Sequence, residues 1–259
     1  MDRWATFDCY GTLIDWNGGI RAELRRVFGD PLAERIASEH VDDPDPDPEP
    51  DAGADAAADA GMPPEPKADP REVELEAELD DILRRYHTLE REIEKNGSLS
   101  YREVMTEAMQ QLGASESEKG GLAASLPTWQ PFPETRDALT ELRARGWKLA
   151  ILSNSDLDLI EASKSLIGVP FEETVVASQI RSYKPALMHW MEFYGRTLAN
   201  RRRHVHVGAS SYHDIAPAAK LRIPNVWINR LGEHAETSPT RELPDLTELP
   251  DTVDELMPA

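Results

Sequence analysis

From residue 134 to residue 228 the chain alternates helical and extended patterns with short connections, and few folds can absorb such an alternation. The pattern predicts a helix over 134–145 closed by Gly146, a strand over Lys148–Leu152, a helix over 156–167 closed by Gly168, and a strand over Thr174–Ala177. A helix beginning at Pro185, a strand His204–Val207, a helix from Asp214 and a strand Asn225–Ile228 follow. Strands alternating with helices of this length form βαβ units on a parallel sheet. Right-handed crossovers place the helices on both faces. The apolar opening, 3–8, belongs to the same sheet, and Glu242–Leu256 finishes it with a short strand and a turn of helix.

Between the first strand and this repeating part lies a stretch of different character. Residues 16–41 read as helix with Ile20, Leu24, Val27 and Phe28 on one face, a pattern that Gly29 and Pro31 interrupt. From Asp42 to Pro70 there are ten acids, one Lys, eight Pro and almost no large apolar side chain. Such a segment cannot bury enough surface to offset its ordering entropy and is expected to be a disordered loop. Asp69-Pro70 then starts a helix in which Leu75, Leu79, Ile82, Tyr86, Leu89 and Ile93 form one stripe, ending at Asn96-Gly97. Ser100 with Glu103 reads as a capping box for a second helix, and Ser115 with Glu118 as the start of a third. The expected architecture is therefore α/β: a doubly wound, Rossmann-like parallel sheet over 1–15 and 130–259. A helical cap domain, 16–129, containing the acidic Pro/Ala-rich loop 42–70, is inserted over its carboxyl edge.

The 259 residues carry a formal net charge of −20, which argues against nucleic acid or an anionic membrane as partner, since both demand basic patches. Arg far outnumbers Lys, and the acidic surplus suits a high-salt cytoplasm in which surface repulsion is screened. No run approaches the length of a membrane span, and the N-terminus enters a strand with no signal-peptide pattern, so a soluble cytoplasmic protein is expected. Cys9 is the single cysteine, which rules out an intrachain disulfide and leaves a thiol nucleophile open. A homodimer is equally open.

Polar residues collect where the strands end. Asp8 follows the first strand, Ser153-Asn154-Ser155 the second, Lys184 opens a helix after Ser182-Tyr183, and Asp214 follows Gly208 through His213. Carboxyl ends of parallel strands are where open α/β sheets hold ligands. Each residue has a structural reading of its own, as a cap, a turn former or a solvated charge. His204 and His206 share a strand face, but two ligands do not make a zinc site, and they read as strand packing.

FDCYGTLID, LSNS, SYKP and HVGASSYHDIAPA, in that order and with a helical insert after the first, resemble the four motifs of the haloacid dehalogenase superfamily. They look most like those of the type II (S)-2-haloacid dehalogenases, and the VWINR segment 226–230 is also similar. The resemblance implies a hydrolase in which Asp8 attacks the carbon bearing the halogen and water cleaves the resulting ester, giving halide and a 2-hydroxy acid. It implies Lys184, Asp214, Ser153, Asn154 and Thr12 as the other catalytic residues, with Lys184 at the cleft rim. Thr12, Ser153 and Asn154 would bond Asp8 and the substrate carboxylate. Tyr10, Arg91, Trp190, Ser211 and His213 are the corresponding substrate-binding positions, for a small substrate of the short 2-halocarboxylate class.

No cofactor and no metal are implied. Superfamily phosphatases carry a second Asp where this chain has Tyr10 and an acidic Mg²⁺ ligand where it has Ala209. Mg²⁺ enters only with the alternative of an atypical phosphatase acting through a phospho-aspartate; an inactive binding protein of the same fold is a second alternative. The chain departs from the dehalogenase pattern at Ala209, Ser210 and Ser211, at Trp190, and at His213. It departs again at Glu92, which with Arg91 beside it falls where the halide-gripping Arg is expected.

Overall fold

The computed structural model describes residues 2–39, 69–95 and 97–259. The acidic segment between 42 and 68 and the helix stop at Asn96 lie outside the described residues. The elements are β1 (Arg3–Phe7), α1 (Trp16–Glu39), α2 (Pro70–Glu94), α3 (Tyr101–Gln111), α4 (Gly121–Ser125), α5 (Thr135–Ala144), β2 (Trp147–Ser153) and α6 (Leu157–Ile167). They continue with β3 (Glu173–Val176), α7 (Ala177–Ile180), α8 (Met188–Thr197), β4 (His204–Gly208), α9 (Ala216–Lys220), β5 (Asn225–Ile228), β6 (Arg241–Leu243) and α10 (Leu249–Leu256). Among the described residues the six strands form one sheet in the order β3-β2-β1-β4-β5-β6, and every pairing is parallel.

The four central strands, β2, β1, β4 and β5, are buried on both faces because their side chains alternate between two apolar layers. Ala5, Phe7, Leu149, Ile151, Val205 and Val207 face the larger core, while Trp4, Ala150, Leu152 and Val175 face a smaller one with Trp190 and Phe193. The glycine stops act where expected: Gly146 and Gly168 have positive φ of 83° and 71° at the ends of α5 and α6, conformations that a Cβ would strain.

The inserted helices confirm some local signals and correct others. Asp69 caps α2 with Pro70 in its first turn, so these two residues belong to the helix rather than to the acidic loop. Ser100 and Glu103 form the complete capping box of α3. α1, however, runs unbroken through Gly29 and Pro31. An interior proline costs a backbone hydrogen bond. The buried Ile36 beyond it keeps the helix against α2, and Arg25–Glu72 and Arg35–Glu78 ion pairs of 2.6 and 3.1 Å join the two helices. Residues 115–119 form turns, and the third helix starts only at Gly121, because the Ser115 carbonyl takes both the Glu118 and the Lys119 N–H. Likewise α8 begins at Met188 rather than Pro185, which leaves Lys184 in a connection. No described helix is long and apolar enough to cross a membrane.

Candidate active site

In the order β3-β2-β1-β4-β5-β6 successive connections leave β1 on opposite sides, which opens a crevice at the carboxyl ends of β1 and β4. Asp8, the residue after β1, stands in that crevice at the floor of a cavity of about 330 Å³. Lys184 Nζ lies 2.8 Å from Asp8 Oδ1 and 2.6 Å from Asp214 Oδ1, and donates a third bond of 2.8 Å to the Leu152 carbonyl. Thr12 Oγ1 donates to Asp8 Oδ2 at 2.9 Å and accepts from the Ala209 N–H at the same distance. Gly11, at φ 84°, makes the turn that brings Thr12 back over Asp8.

The two carboxylates around one ammonium titrate apart. Burial raises Asp8, and the Asp214 charge adds to it, so that it reaches about 6 although Lys184 opposes both. Burial also disfavours ionised Asp214, but Lys184 and His206 outweigh it and hold that carboxyl below its usual range. Lys184 is desolvated as well, yet Asp214 and Asp8 keep it charged. Cys9 is fully buried and its thiol is pushed well above its ordinary value by burial, so it does not supply a thiolate.

Beneath the site runs a line of buried polar groups. His206 Nε2 is 3.3 Å from Asp214 Oδ1, His206 Nδ1 2.8 Å from Thr6 Oγ1, Thr6 Oγ1 2.7 Å from His204 Nε2, and His204 Nδ1 2.6 Å from Tyr194 Oη. Burial lowers both histidines, so each ring is neutral and carries one N–H. Because Asp214 can only accept, the direction is fixed throughout. Tyr194 donates to His204, His204 to Thr6, Thr6 to His206, and His206 to Asp214. The two histidines expected as packing thus brace Asp214 from inside the sheet.

Asp8, Lys184, Asp214, Ser153, Asn154, Tyr10, Arg91 and His213 all border the cavity, and Thr12 lies against it through Asp8. Two expected positions do not. Trp190 is fully buried in the smaller core, edge-on to His206 at 5.0 Å, and Ser211 is absent from the lining because the π-helical turn Ser211–Ile215 carries it away. Asn154 is near but engaged elsewhere: its Oδ1 accepts from Lys184 N at 2.6 Å and its Nδ2 donates to Lys184 O at 3.1 Å, so its amide fixes the lysine main chain instead of bonding Asp8. Lys184 itself, expected at a rim, is only 2% exposed. Glu92 points to solvent and pairs with Lys95 at 2.5 Å, whereas Arg91 faces the cavity with its guanidinium 5.5 Å from the Tyr212 ring centre. The Tyr10 hydroxyl pairs with Ser163 Oγ at 3.1 Å, away from Asp8.

The sequence reading missed two acids on α2. Glu90 and Glu94 are buried and line the same cavity as Asp8. Glu90 Oε1 accepts from Tyr86 at 3.2 Å and Tyr101 at 2.8 Å, and burial raises its carboxyl to about 7 despite these donors. The signal was available: Tyr86, Glu90 and Glu94 are spaced by four and continue the stripe that Leu75 and Leu79 begin. Arg230, from the VWINR segment, also lines the cavity, donating to Thr12 O at 3.1 Å and Glu134 at 2.7 Å.

These donors do not fit a divalent cation. Lys184 occupies one oxygen of each carboxylate, Thr12 the second of Asp8 and the Ser210 N–H the second of Asp214, while Ala209 offers no ligand. Among the described residues no group of three His, Cys, Asp or Glu is placed to hold a metal.

Known proteins are similar to part of the sequence and to the fold. Haloacetate dehalogenase H-2 of Moraxella sp. (strain B) is 34% identical over 105 residues, which cover 40% of this chain and 46% of that protein. (S)-2-haloacid dehalogenase H-109 of Pseudomonas putida is 31% identical over 126 residues, 47% of this chain and 56% of that one, so the chain matches about half the length of these curated relatives. The L-2-haloacid dehalogenase structure from Xanthobacter autotrophicus superposes with a TM-score of 0.67 at 17% identity, covering 98% of each chain, a likeness of fold. The family profile described as "Hydrolase: haloacid dehalogenase-like hydrolase" matches residues 3–232, a span that runs from β1 through the inserted helices to Gly232, just past β5, and the chain belongs to that family.

Proposed function

We propose that the protein is a 2-haloacid dehalogenase in which Asp8 is a covalent nucleophile, residues 1–15 and 130–259 carry the chemistry and residues 16–129 act as the substrate-selecting cap. The observation that carries this reading is the fixing of both Asp8 oxygens, one by the Lys184 ammonium and one by the Thr12 hydroxyl, in a small cavity. An Asp8 oxygen attacks the carbon bearing the halogen, the new C–O bond forms as the C–X bond breaks, and halide leaves with the electron pair. Halide needs no proton, so Tyr10 in place of a second acid is no handicap. Water then adds to the Asp8 carbonyl carbon, and Lys184 is positioned to stabilise the oxyanion. The 2-hydroxy acid departs with one proton of that water, the other is released, and the Asp8 carboxylate is restored.

Asp214 holds Lys184 between the two carboxylates, and Ser153, Tyr10, Arg91 and His213 shape the pocket around a short 2-halocarboxylate. The net charge of −20 fits a cytoplasmic enzyme with small-molecule substrates and no nucleic-acid or membrane partner. The deciding assay is halide release from 2-chloropropionate with and without Mg²⁺, with mass spectrometry for an ester on Asp8. Asp8→Asn is expected to abolish both and Cys9→Ser to keep them. Mg²⁺-dependent turnover of a phosphomonoester without halide release would replace this reading by the phosphatase one.

A further inference from the structure

Glu94 is a buried carboxyl group that the resting site leaves without a firm partner. Its two oxygens stand 3.5 Å from Asn154 Nδ2, and its Oε2 stands 3.5 Å from His213 Nε2, distances at the limit of hydrogen bonding. The cations nearby are committed: Lys184 to Asp8, Asp214 and Leu152 O, and Arg91 to the face of Tyr212.

Its surroundings favour a proton on it. From its own helix it faces Glu90, and from the end of β1 it faces Asp8, both of which oppose a further negative charge. Lys184 and the Asn154 Nδ2–H favour ionisation, but Lys184 shares its charge with two other carboxylates and the amide stands 3.5 Å away. His213, on the turn that carries Asp214, is lowered to about 4 by burial and is neutral at physiological pH. Tyr86, Tyr101 and Tyr183, which also sense Glu94, stay neutral because burial raises all three. Burial, then Glu90, raise Glu94 well above the usual carboxylate range.

We propose that Glu94 is a specificity residue of the halocarboxylate site, its carboxyl donating a hydrogen bond to the substrate carboxylate as the substrate lies against Asp8. The proposal rests on the dehalogenase reading. A carboxylic acid facing a carboxylate shares one proton between two groups, a charge-assisted O–H···O⁻ bond, and the pair carries a single negative charge. An ionised Glu94 would instead meet the substrate as a like charge. The pocket then takes an anionic halocarboxylate while Glu94 is protonated and rejects it as Glu94 ionises. An uncharged haloamide is indifferent to that change.

The test measures halide release from 2-chloropropionate and 2-chloropropionamide between pH 5 and 10 in wild type, Glu94→Ala and Glu94→Gln. Glu94→Ala is expected to lower kcat/KM for the acid by roughly tenfold to a hundredfold, mainly through KM, the range for a hydrogen bond to a charged group. Glu94→Gln, which keeps a donor and cannot ionise, is expected to recover most of that loss and to remove any alkaline fall in the wild-type profile. The amide is expected to show neither effect. A Gln variant as impaired as Ala, an Ala variant equal to wild type, or an alkaline fall that survives in Gln overturns the role of Glu94 while leaving the dehalogenase reading intact. Wild type that releases no halide and forms no ester on Asp8 overturns both.

Discussion

Lys184 Nζ stands 2.8 Å from Asp8 Oδ1 with less than a fiftieth of its side chain exposed, so the carboxylate and its cation are held together out of water. Removing the ammonium leaves Asp8 and Asp214 as neighbouring buried acids with no counter-ion. In Lys184→Met at pH 7, Asp8 is expected to take up a proton, ester formation to stop and the fold to lose about 3–5 kcal/mol. A Met variant that builds the Asp8 ester as fast as wild type, seen by mass spectrometry, contradicts this role.

The acid limb of the rate profile follows from the same geometry. On the proposed mechanism Asp8 attacks as an anion, and burial brings its carboxyl to about 6 in the folded protein, so kcat/KM is expected to fall as pH drops through about 6. The Asp214 charge is one cause of that position. Asp214→Asn removes a like charge, so the residual activity should show its acid limb at lower pH. A limb that moves upward would give Asp214 the opposite electrostatic role.

Gly208 ends β4 against Asp214. A Cβ there would come within 2.5 Å of Asp214 Cβ and Cγ, closer than packed atoms approach, so Gly208→Ala must displace the carboxylate. We expect at least a tenfold loss of kcat, since misplacement of about 1 Å at a reacting group can cost a hundredfold. Unchanged kcat in a variant of unchanged fold would show that Asp214 tolerates displacement.

Thr6→Val keeps the side-chain volume and deletes one hydroxyl from the sheet. His204 Nε2–H and His206 Nδ1 then lose their partners, at about 1–3 kcal/mol each. The two together, about 2–6 kcal/mol, are expected to lower Tm by roughly 4–24 °C, given about 2–4 °C per kcal/mol at this size. Calorimetry showing less than about 2 °C would mean that water or a rotated ring replaces the bond.

The parts of this molecule that local chemistry dictates were legible in the sequence. Apolar runs set the strands, Gly146 and Gly168 stop their helices, and Ser100 with Glu103 marks the start of α3, because each signal acts within a few residues. Asp8, Lys184 and Asp214 were legible as strand-end residues once the sheet was parallel. What depended on distant segments was not. Pro31 stays helical because Ile36 packs beyond it. Lys184 is buried by chain that meets it from other elements, and Asn154 turns to the lysine main chain across 30 residues. Trp190 reads as a pocket residue by position, but its face of α8 looks into the smaller core. Glu90 and Glu94 resemble solvated helix acids until the stripe of α2 is followed to its end.

The line from Tyr194 to Asp214 has a consequence for how the site can fail. Each group along it has one hydrogen to give in that direction, so none can reverse alone: a flipped Thr6 hydroxyl would leave two acceptors facing each other between Thr6 and His206 and two donors between Thr6 and His204. The chain is therefore all-or-none, and it breaks cooperatively. Asp214 at the cavity sets the sense of every bond back to the Tyr194 phenol, and a lesion at that remote end, with no contact to any substrate, is passed on to Asp8 through Lys184.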